Sequence, residues 1–301
     1  MSDSLLSPSD ALWSRVCQTT RQALASGALQ PIETQRFEVI DGQIAFTVRL
    51  IDSLARKEKA QHSGASPSKV DNPFLPYEQD LFVANLSATH VCLLNKFNVV
   101  DHHFLIVTRE YASQQEWLTP ADFAALARCL QEINGLGFFN GGTAAGASQH
   151  HKHLQLIPLS DTIPMADVIH HPPFLAQCEA SCQLPLPFRH GVSPLRGLWT
   201  NQADAAVGQT LHERYRALMT SLGIDPAAAQ PNAPYNLLIT REWMMAVRRS
   251  HPSYQGINVN SLGYAGWLLV KSTEQLEQLR QIGPLTLLTQ VGLPVKPLDQ
   301  L

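Results

Sequence analysis

The sequence predicts an α+β fold, in which helices pack on an antiparallel β-sheet, and three observations support it. Asp41-Gly42 lies between two β-rich runs and suits the positive φ values of a tight hairpin turn. Residues 81–84, 91–94 and 104–107 are apolar runs of strand length separated by turn signals, as expected for neighbouring antiparallel strands. Thr119-Pro120 starts a segment whose apolar residues recur at helical spacing as far as Ile133.

The remaining elements are predicted in order along the chain. Residues 9–26 are predicted to form a helix that ends at Gly27, and the polar stretch 56–67 is predicted to be a surface loop. Residues 136–139 form a short strand that leads into a glycine-rich segment. Further elements are expected in the last hundred residues: a helix at 209–222, strands at 235–240, 244–247 and 265–270, and short helices starting at Thr273 and Pro284.

We expect two portions that pack on one sheet as a compact unit. Residues 1–159 form an N-terminal portion that carries the functional motif, and residues 199–301 form a C-terminal portion. Between them, residues 160–198 are rich in Pro, Cys and His and are expected to be a connection with limited regular structure. The length of 301 residues lies near the size, about 250–300 residues, at which single hydrophobic cores stop growing.

Composition excludes several classes of protein. Hydrophobic residues make up 45% of the chain, and the mean hydropathy is −0.08, which is typical of a globular protein rather than a disordered one. A net charge of −3 gives no basic field, so polymeric nucleic acid is not an expected partner. The sequence has neither a secretory leader pattern nor an apolar run of about 18 residues, so we expect a cytoplasmic protein that does not span a membrane.

The cysteines do not suggest a disulfide framework or a metal centre. The five cysteines are scattered, so reduced thiols are the simplest interpretation. Cys178 and Cys182 follow His170 and His171, but this spacing matches no common zinc pattern. We therefore predict no bound metal.

The segment from Asn140 to Ile157 combines a loop of small residues with a polar strand. Glycine and alanine allow a backbone to approach a bulky anion, and exposed N–H groups in such a loop can bind phosphate oxygens. If residues 151–157 form a strand, its period of two places His151, His153 and Gln155 on one face. A neutral imidazole can attack phosphorus and later leave, which makes the central His153 the candidate nucleophile.

The histidines and basic residues also allow other interpretations. The strand histidines could be satisfied polar residues or a chance metal pair, although the adjoining loop and Gln155 argue against both. His102-His103 is assigned to a solvated turn before a strand. Arg248-Arg249 could be a solvated face, or it could neutralise the distal phosphates of a polyphosphate.

The motif resembles that of a known family. His151-Lys152-His153-Leu154-Gln155 is similar to the His-x-His-x-Gln signature of the transferase branch of the histidine triad (HIT-like) superfamily. The longer string from Asn140 to Gln155 resembles the diadenosine tetraphosphate (Ap4A) phosphorylases, also called ATP adenylyltransferases. Further similarity lies in residues 72–74, 94–98, 103–105, 235–238 and 260–266, so it covers most of the chain.

The resemblance implies a role for each matching residue. His153 would accept AMP, His151 would support it, and Gln155 would hold the α-phosphate. The implied contacts with nucleotide and phosphate are Lys57, Asn95, Lys96, Asn140, Gly146, Ala147, Ser148, Gln149, Gln155 and Arg248. The choice of Lys57 over Lys59 is left open.

The implied reaction is phosphorolysis of Ap4A to ADP and ATP through a covalent adenylyl-histidine. A divalent cation, Mg²⁺, would accompany the substrate, and no tightly bound cofactor is expected. The partners would be Ap4A, ATP, ADP and phosphate, and the oligomeric state is left open. Three alternatives remain: a dinucleoside polyphosphate hydrolase, a sugar-phosphate uridylyltransferase, and a non-catalytic nucleotide-binding module.

Overall fold

The computed structural model describes residues 11–51, 72–160, 162–170, 181–199 and 202–295. The helices in these ranges are α1 (Leu12–Ser26), α2 (Pro120–Glu132), α3 (Ala166–His170), α4 (Asp204–Ser221), α5 (Thr273–Ile282) and α6 (Pro284–Val291). The strands are β1 (Thr34–Asp41), β2 (Ile44–Ile51), β3 (Phe82–Asn85), β4 (His90–Leu94), β5 (Phe104–Thr108), β6 (Gly135–Gly141), β7 (His153–Pro158), β8 (His190–Pro194), β9 (Tyr235–Ile239), β10 (Trp243–Arg248), β11 (Ser253–Tyr254), β12 (Ile257–Asn258) and β13 (Trp267–Val270). Within the described ranges, every helix is too short or too polar to cross a membrane.

The main sheet has eight strands in the order β3-β4-β5-β7-β6-β9-β10-β8, and every neighbouring pair is antiparallel. The predicted α+β class with an antiparallel sheet is therefore confirmed. The pairing of β6 with β9 joins a strand from the first half of the chain to one from the second. Strands of both halves thus contribute to one sheet.

The two faces of the main sheet are covered differently. On one face, α1, α2 and α4 pack against apolar side chains such as Ile106 and Leu154, which form one core. On the other face lies a second core, which includes Phe138 and Leu238 of the main sheet. It is covered by α5, α6 and a small sheet of order β1-β2-β13, in which β13 runs parallel to β2.

Local chemistry explains the elements that were predicted. The hairpin at Asp41-Gly42 is present, and Gly42 has a φ of 61°, which the turn requires. Helix α2 begins with a capping box, in which the Thr119 hydroxyl accepts from the Asp122 N–H and the Asp122 carboxylate accepts from the Thr119 N–H. The three antiparallel strands predicted between residues 81 and 107 are adjacent in the sheet, as expected.

Some elements differ from the sequence prediction. Strand β8 lies inside the segment predicted as a connection, where its Gly191, Ser193 and Pro194 gave little strand signal. The β1-β2 hairpin belongs to the small sheet, because β2 pairs with the distant β13 rather than with the main sheet. The predicted loop at 56–67 falls outside the described residues.

A buried charge cluster anchors strand β7 to helix α2 on the helix-covered face. Asp122 accepts a hydrogen bond from His90 Nε2 at 2.9 Å, and the Lys152 ammonium lies 3.8 Å from the same carboxylate. Burial alone would raise the pKa of Asp122, but the His90 hydrogen bond and the Lys152 charge together lower it. Lys152 also donates to the Trp117 carbonyl, and its ammonium lies 3.6 Å from the half-exposed carboxylate of Glu116.

We expect Asp122→Asn to lower the free energy of unfolding by about 3 kcal/mol, because it leaves the buried Lys152 charge without its buried counter-ion. Urea unfolding followed by circular dichroism measures the change. The matched control is Glu116→Gln, which removes the half-exposed partner of the same lysine and should cost under about 1 kcal/mol. Equal losses for the two variants would contradict this assignment.

Candidate active site

The site lies where the ladder between β6 and β7 stops. The two strands pair as far as Phe138 and Gln155. Beyond that point β6 stays paired with β9 as far as Gly141, β7 is paired only with β5, and the glycine-rich loop joins their separated ends. The buried side chain of Gln114 bridges the gap. Its Oε1 accepts from the His153 N–H at 2.8 Å, and its Nε2 donates to the Asn140 and His153 carbonyls at 3.0 and 3.2 Å. Gln114 therefore takes the place of a missing strand partner at the start of β7.

His153 is held as a neutral imidazole with one defined tautomer. Its side chain is buried, and its Nδ1 lies 2.8 Å from the His151 carbonyl oxygen. A carbonyl can only accept, so Nδ1 carries the proton and the lone pair is on Nε2. Burial lowers the pKa of His153 to about 4, against a smaller opposing effect of this hydrogen bond. At neutral pH the ring therefore presents an unprotonated nitrogen suited to nucleophilic attack.

His151 holds the carbonyl that orients His153. Its Nε2 lies 2.9 Å from the Thr108 carbonyl and 3.2 Å from the Glu110 carbonyl, so Nε2 carries the proton. Its Nδ1 accepts from the Asn72 amide nitrogen at 2.9 Å, while the oxygen of that amide accepts from the Phe74 N–H. Both ring nitrogens are thus used within the protein. His151 therefore fixes the position of His153 through its own carbonyl.

Gln155 lines a cavity of about 390 Å³ between the main sheet and the small sheet. Its side-chain oxygen accepts from His103 Nε2 at 3.0 Å. His153 does not line this cavity and lies two positions earlier on the same strand, about 7 Å away by the rise of a β-strand. The cavity therefore extends from the vicinity of the candidate nucleophile but does not contain it.

The glycine-rich loop forms part of the cavity wall through Gly146 and Ser148. Gly146 has a φ of 92°, and a Cβ atom there would lie 2.7 Å from the Val259 carbonyl oxygen. Glycine is thus required both by the backbone conformation and by the close contact with residues 259–260. Ala147 and Gln149 lie in the same loop and are half-buried.

A buried polar cluster fixes the loop from below. The Asn140 side-chain oxygen accepts from the Asn236 amide and from both the N–H and the hydroxyl of Ser261, at 2.7–2.9 Å. Arg249 is buried beside them and donates to the Asn236 side-chain oxygen, the Ala145 carbonyl and the Val259 carbonyl. Residues of both halves of the chain therefore share one hydrogen-bond cluster beneath the loop.

The structure brings most of the expected site residues together. Those that line the cavity are Asn95, Asn140, Gly146, Ser148 and Gln155. Lys96 instead forms an ion pair with Glu78, with an Nζ to Oε2 distance of 2.7 Å. Lys57 and the alternative Lys59 lie outside the described residues.

The structure does not bring Arg248 to the cavity, which corrects the expected phosphate contact. Its guanidinium donates to the Leu222 and Gly223 carbonyls, just beyond the end of α4. That helix packs on the face of the sheet opposite to Gln155. The neighbouring Arg249 is the arginine that reaches the site, because side chains alternate between the faces of a strand.

Sequence reasoning missed His103 and Gln114 and left the role of a third residue of the site, Arg249, undecided. His103 was assigned to a solvated turn, but it is buried against Gln155, and burial lowers its pKa to about 4. Its position directly before the apolar strand β5 is the signal that could have indicated burial. Gln114 carries no such signal, since its partners are backbone groups far away in the sequence. Arg249 is likewise placed by distant groups, which include the Ala145 and Val291 carbonyls.

Comparisons with known proteins agree with this geometry. Residues 2–171 match the Ap4A phosphorylase N-terminal domain, and residues 184–294 match the ATP adenylyltransferase C-terminal domain. The chain is 32% identical over 265 residues to diadenosine 5',5'''-P1,P4-tetraphosphate phosphorylase 2 of Saccharomyces cerevisiae, covering 78% of this chain and 79% of that protein. It is 26% identical to Protein APA1 of the same yeast, covering 87% of each.

The fold is also similar to a solved structure. The crystal structure of yeast Ap4A phosphorylase Apa2 in complex with AMP superposes with a TM-score of 0.74 at 28% identity, covering 96% of this chain and 99% of that one. The complex of the same enzyme with Ap4A gives a TM-score of 0.75 at 26% identity, with the same coverage. Two domain matches, sequence identity and fold therefore agree, and the chain belongs to the Ap4A phosphorylase (ATP adenylyltransferase) family of HIT-like nucleotidyltransferases.

Proposed function

We propose that this protein catalyses phosphorolysis of Ap4A to ADP and ATP, and that it transfers AMP through a covalent intermediate on His153. The observation that carries the proposal is the buried, neutral His153, whose Nδ1 proton is engaged by the His151 carbonyl. The relatives that support it are named as phosphorylases of the same substrate.

In the first step, the lone pair on His153 Nε2 forms a bond to the α-phosphorus of Ap4A. The bond from that phosphorus to its bridging oxygen breaks, and the electron pair leaves with ATP. The imidazole gains positive charge as the phosphorus–nitrogen bond forms. The His151 carbonyl, 2.8 Å from Nδ1, stabilises that charge through its hydrogen bond, and Gln155 is placed to donate to a phosphate oxygen.

In the second step, an oxygen of inorganic phosphate attacks the adenylylated histidine. The phosphorus–nitrogen bond breaks, ADP leaves, and the electron pair returns to His153 Nε2. Two displacements on one nucleophile give ping-pong kinetics. Water in place of phosphate would release AMP instead, which distinguishes the hydrolase alternative.

The cavity and loop fit a nucleotide with its phosphates near Gln155. The lining combines apolar residues such as Phe97 and Trp267 with the polar side chains of Asn95 and Asn140. The backbone N–H of Ser148 in the loop is suited to a phosphate oxygen, whereas the Gly146 N–H donates to the Thr143 carbonyl and holds the turn. Apa2 has been solved with both AMP and Ap4A, which supports these nucleotides as partners here, together with ATP, ADP and phosphate.

We propose that Mg²⁺ enters bound to the substrate phosphates. The described residues that line the cavity supply amides, the hydroxyls of Ser148 and Ser160, the His103 imidazole and the basic Arg49 and Lys271, with no carboxylate among them. Such donors suit phosphate oxygens, whereas Mg²⁺ is commonly held by one or two carboxylates together with substrate phosphates. When bound, the ion would neutralise part of the polyphosphate charge. We further propose a cytoplasmic location, which the free thiols of Cys92 and Cys129 support.

Incubation with Ap4A labelled at the α-phosphorus, in the absence of phosphate, should label the protein covalently. We expect His153→Ala to abolish the adduct, because no other nitrogen occupies that position on the strand. The matched control is His150→Ala, an exposed histidine three residues earlier, which should label as the parent does. Full labelling of His153→Ala would show that the nucleophile lies elsewhere.

Addition of unlabelled phosphate to the purified adduct separates the alternatives. We expect the label to leave as ADP. Release as AMP at the same rate with and without phosphate would identify a hydrolase.

We expect titration of His153 to leave the rate of adduct formation unchanged from neutral pH down to about pH 4. The unprotonated ring is the reactive form, so the rate falls only as the pH drops through the lowered pKa of about 4. Single-turnover labelling from pH 8 down to about one unit below the lowered pKa of about 4 measures this acid limb. A midpoint near the ordinary histidine value of about 6.5 would contradict the burial argument.

Gly146→Ala should weaken AMP binding by about tenfold or more, because both the φ of 92° and the contact with Val259 displace the loop. Isothermal titration calorimetry measures the affinity. Gly197→Ala is the matched control, since Gly197 also has a positive φ, 78°, but a Cβ there meets nothing within 4 Å. A similar affinity for the two variants would show that the loop does not need this contact.

A further inference from the structure

A chain of three side chains leads from the cavity wall to the candidate phosphate-binding amide. His103 Nδ1 lies 3.1 Å from the Asn95 amide nitrogen, and His103 Nε2 lies 3.0 Å from the Gln155 side-chain oxygen. The backbone supports the same arrangement, because the Asn95 N–H donates to the His103 carbonyl at 2.9 Å. All three residues line the cavity, and His103 is only 8% exposed.

The chain has one direction because His103 is neutral. Burial lowers its pKa to about 4, so the ring has a single N–H at neutral pH. The Asn95 amide nitrogen can only donate, so His103 Nδ1 accepts and Nε2 carries the proton. The proton on Nε2 is then donated to the Gln155 oxygen. Asn95 thus donates to His103, and His103 donates to Gln155.

This direction decides which end of the Gln155 amide faces a ligand. With its oxygen engaged by His103, the Gln155 amide has its NH₂ group left to face a ligand. An amide turned the other way would present its oxygen to the ligand, and an oxygen repels a phosphate. A glutamine side chain that is free to rotate would populate both orientations. An amide fixed with its NH₂ group towards the ligand therefore binds a phosphate more effectively than one that rotates.

We propose that His103 is a positioning residue, which Asn95 orients and which locks the Gln155 amide with its NH₂ group towards the α-phosphate of the bound nucleotide. His103 itself need not touch the nucleotide. The inference rests on the proposed function, because that function places a phosphate beside Gln155.

Different replacements of His103 keep or remove its contacts with Asn95 and Gln155 separately. Glutamine can place an amide NH₂ group near the position of the ring Nε2 and restore the donor to Gln155. Asparagine reaches only as far as the ring Nδ1, so it keeps the Asn95 contact and loses the Gln155 contact. Leucine removes both contacts.

The experiment combines these variants with Gln155→Ala. Equilibrium binding of AMP is measured by calorimetry for the parent, His103→Leu, His103→Asn, His103→Gln, Gln155→Ala and the double variant His103→Leu with Gln155→Ala. Adduct formation from Ap4A is measured in parallel, and thermal midpoints report folding. The matched control is His102→Asn, because His102 is the adjacent histidine, contacts Thr20 and Trp13 instead, and has a φ of 58° that asparagine tolerates.

We expect His103→Leu and His103→Asn to weaken AMP binding by about tenfold and to slow adduct formation by roughly ten- to a hundredfold. His103→Gln should remain within about threefold of the parent, and His102→Asn should match the parent. In the Gln155→Ala background, the leucine replacement should change binding less than about twofold, because its effect acts through Gln155.

Equal losses in the two backgrounds would overturn the proposal, as would unchanged binding by a folded His103→Asn variant. If the leucine variant fails to fold, AMP binding by His103→Asn and His103→Gln, each compared with the parent, decides instead. A parent that binds AMP but forms no adduct overturns the proposed function, while the binding series still tests His103. A parent that binds no AMP overturns both.

Discussion

The hydrogen bond from His153 Nδ1 to the His151 carbonyl is the constraint on which the site depends. It determines which ring nitrogen keeps a lone pair, and burial keeps that nitrogen unprotonated. The carbonyl itself is held because the His151 ring is tied to the end of β5 and to Asn72. The first histidine of the motif therefore acts through its backbone and the second through its side chain.

The site also depends on contacts between the two halves of the chain. Asn140 comes from the first half, while Asn236, Arg249 and Ser261 come from the second, and all four meet in one buried cluster. Buried polar groups are costly unless each has a partner, so this cluster is stable only when both halves are in place. The shared sheet, in which β6 pairs with β9, brings those partners together.

The sequence could predict what depends on local periodicity. The alternation along His151, His153 and Gln155 correctly placed the last two on the cavity side of one strand, and the Asp41-Gly42 turn correctly indicated a hairpin. It could not decide between neighbouring residues at the ends of strands. Arg248 and Arg249 point to opposite faces, and which one reaches the site depends on where the sheet packs. The contact of His103 with Gln155 and the parallel pairing of β13 with β2 each join residues that are distant in the sequence, so local patterns could not predict them.

The burial of Arg249 places a positive charge beneath the loop where dissolved salt screens it weakly. The acceptors that its guanidinium contacts are neutral oxygens: carbonyls of Ala145, Val259, Val291 and His251 and the amide of Asn236. None of these cancels its charge, so a full positive charge lies directly beneath the backbone of the loop. Mobile ions screen surface lysines over about 8–10 Å at physiological ionic strength, but they cannot enter the space around a buried group. The attraction between this loop and a phosphate should therefore persist at salt concentrations that weaken the attraction of surface charges.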